Sequence, residues 1–162
     1  MKKLAYILVF MTMLPLSMSA QEVFTEVRKS AQTTLDNPNS NDLLRQFSQF
    51  KIDALDYMAL KMREQMPDSS VVYLDRQAYA LNAFMTHYLK VLVDNRNEPA
   101  AYQVKLMKLF IDASVSNPLF DDSDKELVHS YFADGKSATR FSLDTDWQRA
   151  RIAVASELKK IK

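Results

Sequence analysis

The chain has no cysteine and one glycine, Gly135, in 162 residues. Without cysteine no disulfide can brace the fold, even in an oxidising compartment where one would persist. Lipid attachment through a cysteine is excluded for the same reason, and stability has to come from a packed core. A sheet-rich chain of this size uses several glycines in hairpins and bulges, so their scarcity points to an all-α protein. A basic excess is missing as well, since 21 Lys and Arg face 20 Asp and Glu. That balance supplies no surplus charge to neutralise a phosphate backbone and no polybasic segment to hold an anionic membrane. Nucleic acid is therefore not an expected partner. Beyond residue 20, no uncharged run reaches the roughly 20 residues that a membrane-spanning helix needs.

The one sustained apolar run stands at the start. Lys2 and Lys3 precede Leu4 to Leu16, interrupted only by Thr12 and Pro15, and Ser17-Met18-Ser19-Ala20 offers small residues to a signal peptidase. These features predict a secretory signal peptide over residues 1–20, cleaved within a residue of Ala20. Residues 21–162 are then expected to form a single all-α domain, exported to the periplasm or secreted. A chain of that length can bury roughly 68 to 70% of its unfolded surface, enough for one core.

The longest amphipathic pattern runs from Ser69 to Val93, and the rest of the fold is expected to be arranged around it. Val71, Leu74, Ala78, Leu81, Met85, Tyr88 and Leu92 recur at spacings of three and four, with Gln77, Phe84 and Val91 along one flank. Such a stripe predicts a long helix that buries one face. Before it, Val23, Val27, Ala31 and Leu35 mark a helix over residues 22–35. Leu43, Leu44, Phe47, Phe50, Ala54, Leu55, Met58 and Met62 mark another over residues 42–65. Ser40 and Asn41 are suitable caps for the second of these, Asp68 or Ser69 for the central one. Pro67 closes the preceding helix, because a residue before proline is pushed out of helical geometry. A turn at residues 94–99 follows, with Asn97 expected to cap the next helix and Pro99 to sit in its first turn.

A helix over residues 100–115 buries Tyr102, Leu106, Leu109 and Ala113, with Lys105, Lys108 and Asp112 on its wet face. Leu119 and Phe120 are expected to fold back onto the core. Ser123 and Glu126 make a capping box for a short helix that Gly135 ends. Residues 136–143 are the least helical part and predict a loop or a brief extended piece. Thr145 and Gln148 then repeat the capping-box pattern before a last helix with Trp147, Ala150, Val154, Leu158 and Ile161 on one face. The connections are short, so consecutive helices should run antiparallel. The expected architecture is an antiparallel bundle of four to six helices without a sheet.

Candidate chemistry is sparse. Glu126 and His129 have the Glu-x-x-His spacing of carboxylate-bridged metal bundles, but those need the motif twice with two further glutamates, and Phe84 stands where His87 would need its acidic partner. Met58, Met62 and Met66 place three thioethers along one helical face, a soft donor set suited to reduced copper. Filling an irregular core is the plainer role for methionine, and Met58 and Met62 continue the apolar stripe. Asp121, Asp122 and Asp124 resemble half of a calcium loop, yet its sixth and twelfth positions hold Glu126 and Phe132 rather than glycine and an acid. Ser137, Thr139 and Arg140 could hold an anion, although no glycine-rich phosphate loop accompanies them. Asp75 and Arg76 lie off the central stripe and read as a solvated face. No nucleophile, base and orienting acid can be grouped from the sequence. No catalytic, cofactor-binding or metal residue is therefore assigned, and no cofactor is expected.

The run Val71-Val72-Tyr73-Leu74-Asp75-Arg76-Gln77-Ala78-Tyr79-Ala80-Leu81-Asn82-Ala83-Phe84, with the Ala20-Gln21-Glu22 junction before it, resembles small exported all-helical proteins of unknown function from host-associated Gram-negative bacteria. The resemblance implies no catalytic residues. The functional expectation is an exported, non-catalytic binding or protein-interaction module with an envelope or extracellular protein partner. The alternative is a periplasmic carrier enclosing a small apolar ligand among the inward aromatics Phe47, Phe84, Tyr88, Phe110 and Trp147.

Overall fold

The computed structural model describes residues 22–68, 71–122, 124, 128 and 137–161. Among them are five helices and no strand: α1 (Glu22–Asp36), α2 (Asp42–Gln65), α3 (Val71–Asp94), α4 (Ala100–Val115) and α5 (Trp147–Ile161). None is long and apolar enough to cross a membrane. The expected signal peptide lies outside the described residues, as do Ser69 and all of the expected short helix except Asp124 and Val128.

α3 packs against each of the other four helices. Phe47 stacks on Tyr88, and Lys51, one turn further along α2, reaches Asn82. As numbers rise on α2 they fall on α3, so the two run antiparallel. Phe110 of α4 meets Phe84 and His87, while Leu106, further back on α4, shares a groove with Val91 of α3, which gives α4 the same antiparallel sense. α5 runs parallel to α3, from Gln77 beside Trp147 to Val91 beside Leu158. α1 also packs on α2 and α4 on α5, so the helices form two pairs that both contact α3.

Most of the expected apolar stripe of α3 is buried: Ala78, Leu81, Phe84, Met85 and Tyr88 are almost wholly enclosed, whereas Val71 at the first position is exposed. Val71 is the first residue of the helix, one turn before Asp75. Asp75 corrects the sequence reading. It is buried, and its Oδ1 accepts the Phe24 N–H at 2.9 Å, satisfying a donor in the first turn of α1. Arg76 is exposed as expected.

Helix ends show where local signals sufficed. Asn41 Oδ1 accepts the Leu44 N–H at 2.9 Å and caps α2. Ser40, the other candidate, instead donates to the Thr34 carbonyl at 2.6 Å and closes α1. Arg45 adds donations to the Leu35 and Asn37 carbonyls, both at 3.0 Å. Asn97 does not cap α4: Pro99 occupies the cap position and its carbonyl accepts the Tyr102 N–H at 2.9 Å. The Gln103 N–H reaches the same carbonyl at 3.1 Å, and no side chain among the described residues caps the helix.

Candidate functional site

Of residues 136–143, expected to form a loop or a brief extended piece, the described residues 137–140 are half-buried apart from Thr139, which is buried, and the chain from Phe141 to Asp146 runs through the interior. Every residue from Phe141 to Trp147 is buried, polar ones included. The Phe141 ring lies 5.1 to 5.5 Å from those of Tyr88, Phe84 and Phe50. Trp147 meets Phe84 at 5.3 Å and Phe50 at 5.9 Å, both edge-on. The inward aromatics therefore pack on one another's faces and edges, an arrangement that adds to their area burial.

A buried non-helical backbone needs partners, and side chains supply them. Asp144 Oδ1 accepts the N–H groups of Leu119 and Phe120 at 2.9 and 2.8 Å, and its Oδ2 accepts that of Asp122 at 3.0 Å. One carboxylate thus shapes the turn after α4. Asp121 takes a positive φ of 50° within it, a region aspartate tolerates better than most residues. Ser114 Oγ accepts the Ser142 N–H at 3.0 Å and shares a hydrogen bond with Thr145 Oγ1 at 2.8 Å. Gln77 Nε2 donates to Asp146 Oδ1 at 3.1 Å, while Gln77 Oε1 accepts the Trp147 N–H at 2.9 Å. Asp146, not Thr145, caps α5, accepting the N–H groups of Gln148 and Arg149 at 3.1 Å each. Thr145 is unavailable for that role because its hydroxyl is drawn inward to the Ser142 carbonyl at 2.8 Å.

Two further polar contacts tie α2 to its surroundings. Tyr57 donates to Asp122 Oδ2 at 2.8 Å, and Lys61 pairs with the same atom at 2.9 Å. The Lys61 hydrogen bond, then the Asp124 N–H and the Tyr57 hydroxyl, hold the Asp122 carboxyl down to about 2. Burial, followed by the hydrogen bond to Asp122, pushes the Tyr57 phenol far above its ordinary range. Lys51 is only 3% exposed, donates to Asn82 Oδ1 at 2.8 Å, and is lowered by burial to about 8.

These networks position the chain. An open recess suited to a ligand lies where the last turns of α3 and α5 meet the beginning of α4. It is a groove of about 430 Å³ lined by His87, Lys90, Val91, Asp94, Asn95, Tyr102, Leu106, Ala155, Leu158, Lys159 and Ile161. Leu106 is buried and Val91 and Leu158 are half-buried against the core, so one wall is hydrocarbon. The other side carries Lys90, paired with Asp94 at 2.7 Å, and Lys159. His87 sits edge-on to Phe110 at 5.4 Å, its pKa lowered by burial and then by the nearby Lys90 charge.

Of the candidates raised by the sequence that are among the described residues, only His87 falls in this groove. Met58 and Met62 are buried, while Met66 leaves helical geometry at φ −135° and is exposed, so the three thioethers do not share one environment. Asp122 is engaged by Tyr57 and Lys61. The Ser137 and Thr139 hydroxyls bond each other at 3.0 Å, and Thr139 is fully buried rather than open to an anion. Glu126 and His129 lie outside the described residues. Among the described residues no group of three His, Cys, Asp or Glu is placed to hold a metal ion. Lys90 and Lys159 went unmarked in the sequence because each reads as an ordinary helix-surface residue until three helix ends are brought together, and Tyr102, expected on the buried stripe of its helix, is half-buried and lines the groove instead.

No protein family matches the chain, and neither a curated protein nor a solved structure matches it.

Proposed function

We propose that this chain is an exported, non-catalytic helical binding module whose ligand sits in the groove between the ends of α3, α4 and α5. The groove itself carries the reading. Its volume of about 430 Å³ lies within the range of small-molecule sites, and it joins a hydrocarbon wall to a few polar groups, the usual composition of such sites. The signal-peptide features of residues 1–20 support export. The aromatic rings of the core lie against one another, which favours the groove over the core as the place for an apolar ligand. Native mass spectrometry of protein purified from its own envelope fraction tests the proposal. A small molecule retained by the wild type and lost from Leu158→Glu supports it. An empty wild type whose groove residues respond to no amphipathic probe counts against it.

A protein partner in the envelope or outside the cell is the second reading, favoured by one surface feature. Tyr79 of α3 is 51% exposed, with the Arg151 guanidinium 5.7 Å above its ring. Tyrosine and arginine are the residue types that dominate binding hot spots. Affinity capture with wild type and Tyr79→Ala in parallel separates the two readings. Reproducible recovery of one partner by the wild type alone favours this surface.

A further inference from the structure

We infer that the groove takes a small amphipath with one anionic head, of the medium-chain carboxylate class; the inference rests on the groove being the binding surface. Val91, Leu106, Ala155 and Leu158 offer a hydrocarbon wall for the chain, and two ammonium groups, Lys90 and Lys159, stand beside it with one carboxylate, Asp94. Among the described lining residues the charges therefore leave one cation in excess. Lys90 and Asp94 are each more than half exposed, and an ion pair so placed contributes little, so Lys90 can exchange partners at small cost.

Lys159 makes no ion pair or hydrogen bond among the described residues. Its place in the last turn of α5 complements the negative end of the helix, which explains a lysine there without a ligand but leaves its three donors open. His87 in the wall is held toward its neutral form and can donate one hydrogen bond without adding charge of its own. A cationic amphipath would meet Lys90 and Lys159 unfavourably. A neutral alcohol would offer Lys159 an uncharged acceptor and so a weaker hydrogen bond than a carboxylate does.

The test is a titration of the purified protein, followed by amide chemical shifts, with three probes of equal chain length: decanoate, decanol and decyltrimethylammonium. Decanoate is expected to shift the amides of Val91, Asn95, Leu106 and Leu158 and to bind about tenfold more tightly than decanol, the factor one charge-assisted hydrogen bond supplies. Lys159→Glu should remove that preference at a small cost in thermal stability, since it reverses the charge at the end of α5, and Lys159→Arg should retain both the preference and the thermal unfolding of the wild type. Equal binding of decanol and decanoate in the groove overturns the anionic head and leaves the groove as a binding surface. Tighter binding of the cationic probe has the same effect. No groove shifts with any probe overturns the inference together with the groove reading.

Discussion

At the scale of the residue, two buried polar groups illustrate opposite outcomes. Lys51 is enclosed with one neutral partner, Asn82, and its folded value of about 8 lies well below that of an exposed lysine. Its charged form is disfavoured by the fold. Between about pH 8 and 10 the unfolded chain then binds more protons at this position, so stability rises with pH across that window. The full effect is on the order of 3 kcal/mol. Lys51→Met, which keeps most of the side-chain volume, is expected to raise stability at pH 7 by about 1 to 3 kcal/mol in urea unfolding and to abolish the rising limb. Unchanged stability and an unchanged limb would show that the ammonium reaches water. Asp144 is the converse, a buried carboxylate with three backbone donors. Asp144→Ala strands those N–H groups and should cost about 3 to 5 kcal/mol. Asp144→Asn retains an acceptor oxygen and should cost less.

At the scale of the element, α3 decides the fold. It is the helix in contact with all the others, and Leu81 lies fully enclosed near its middle. Leu81→Asp places a carboxylate at a fully enclosed position, and the expected outcome is loss of helical circular dichroism at 25 °C. A folded variant that had only lost a partner would make this face an interface. The start of α5 shows a subtler point. Thr145 and Gln148 make a fitting capping box by spacing, yet Asp146 does the capping because Gln77, nearly seventy positions earlier, orients its carboxylate and the Trp147 N–H together. The spacing rule was sound and was outweighed by tertiary hydrogen bonds.

At the scale of the whole molecule, the packing of each of the other described helices against α3 predicts one cooperative unit. Trp147, the single tryptophan, is buried between α3 and α2 contacts. Its fluorescence and the helical circular dichroism should therefore share one urea midpoint. A fluorescence transition that came first would mean that α4 and α5 detach separately. The acid limb has a named contributor. Asp122 titrates at about 2 when folded, so the stabilisation it gains from Lys61 and Tyr57 is present above the ordinary carboxylate range and is lost as pH falls from about 4 to 2. Lys61→Met should flatten that limb in acid titration of the fold. At the alkaline end, burial holds the Tyr88 phenol up to about 12, so its ionisation opposes folding once the pH passes 10.

The helices and most of the core were legible in the chain itself. Periodicity is a local property, and residues such as Phe47, Leu81, Phe110 and Val154 reveal their buried face by their neighbours three and four positions away. The scarcity of glycine spoke to the absence of a sheet for a similar reason, since turn chemistry is written in single residues. The interior course of residues 141–146, the capping by Asp146, the burial of Lys51 and Asp75, and the groove between three helix ends were decided only in tertiary structure. Each depends on pairs such as Gln77 with Asp146 or Val91 with Leu158 that are dozens of positions apart. A polar residue carries the same local signature whether its partner is water or a distant amide, and only packing distinguishes the two.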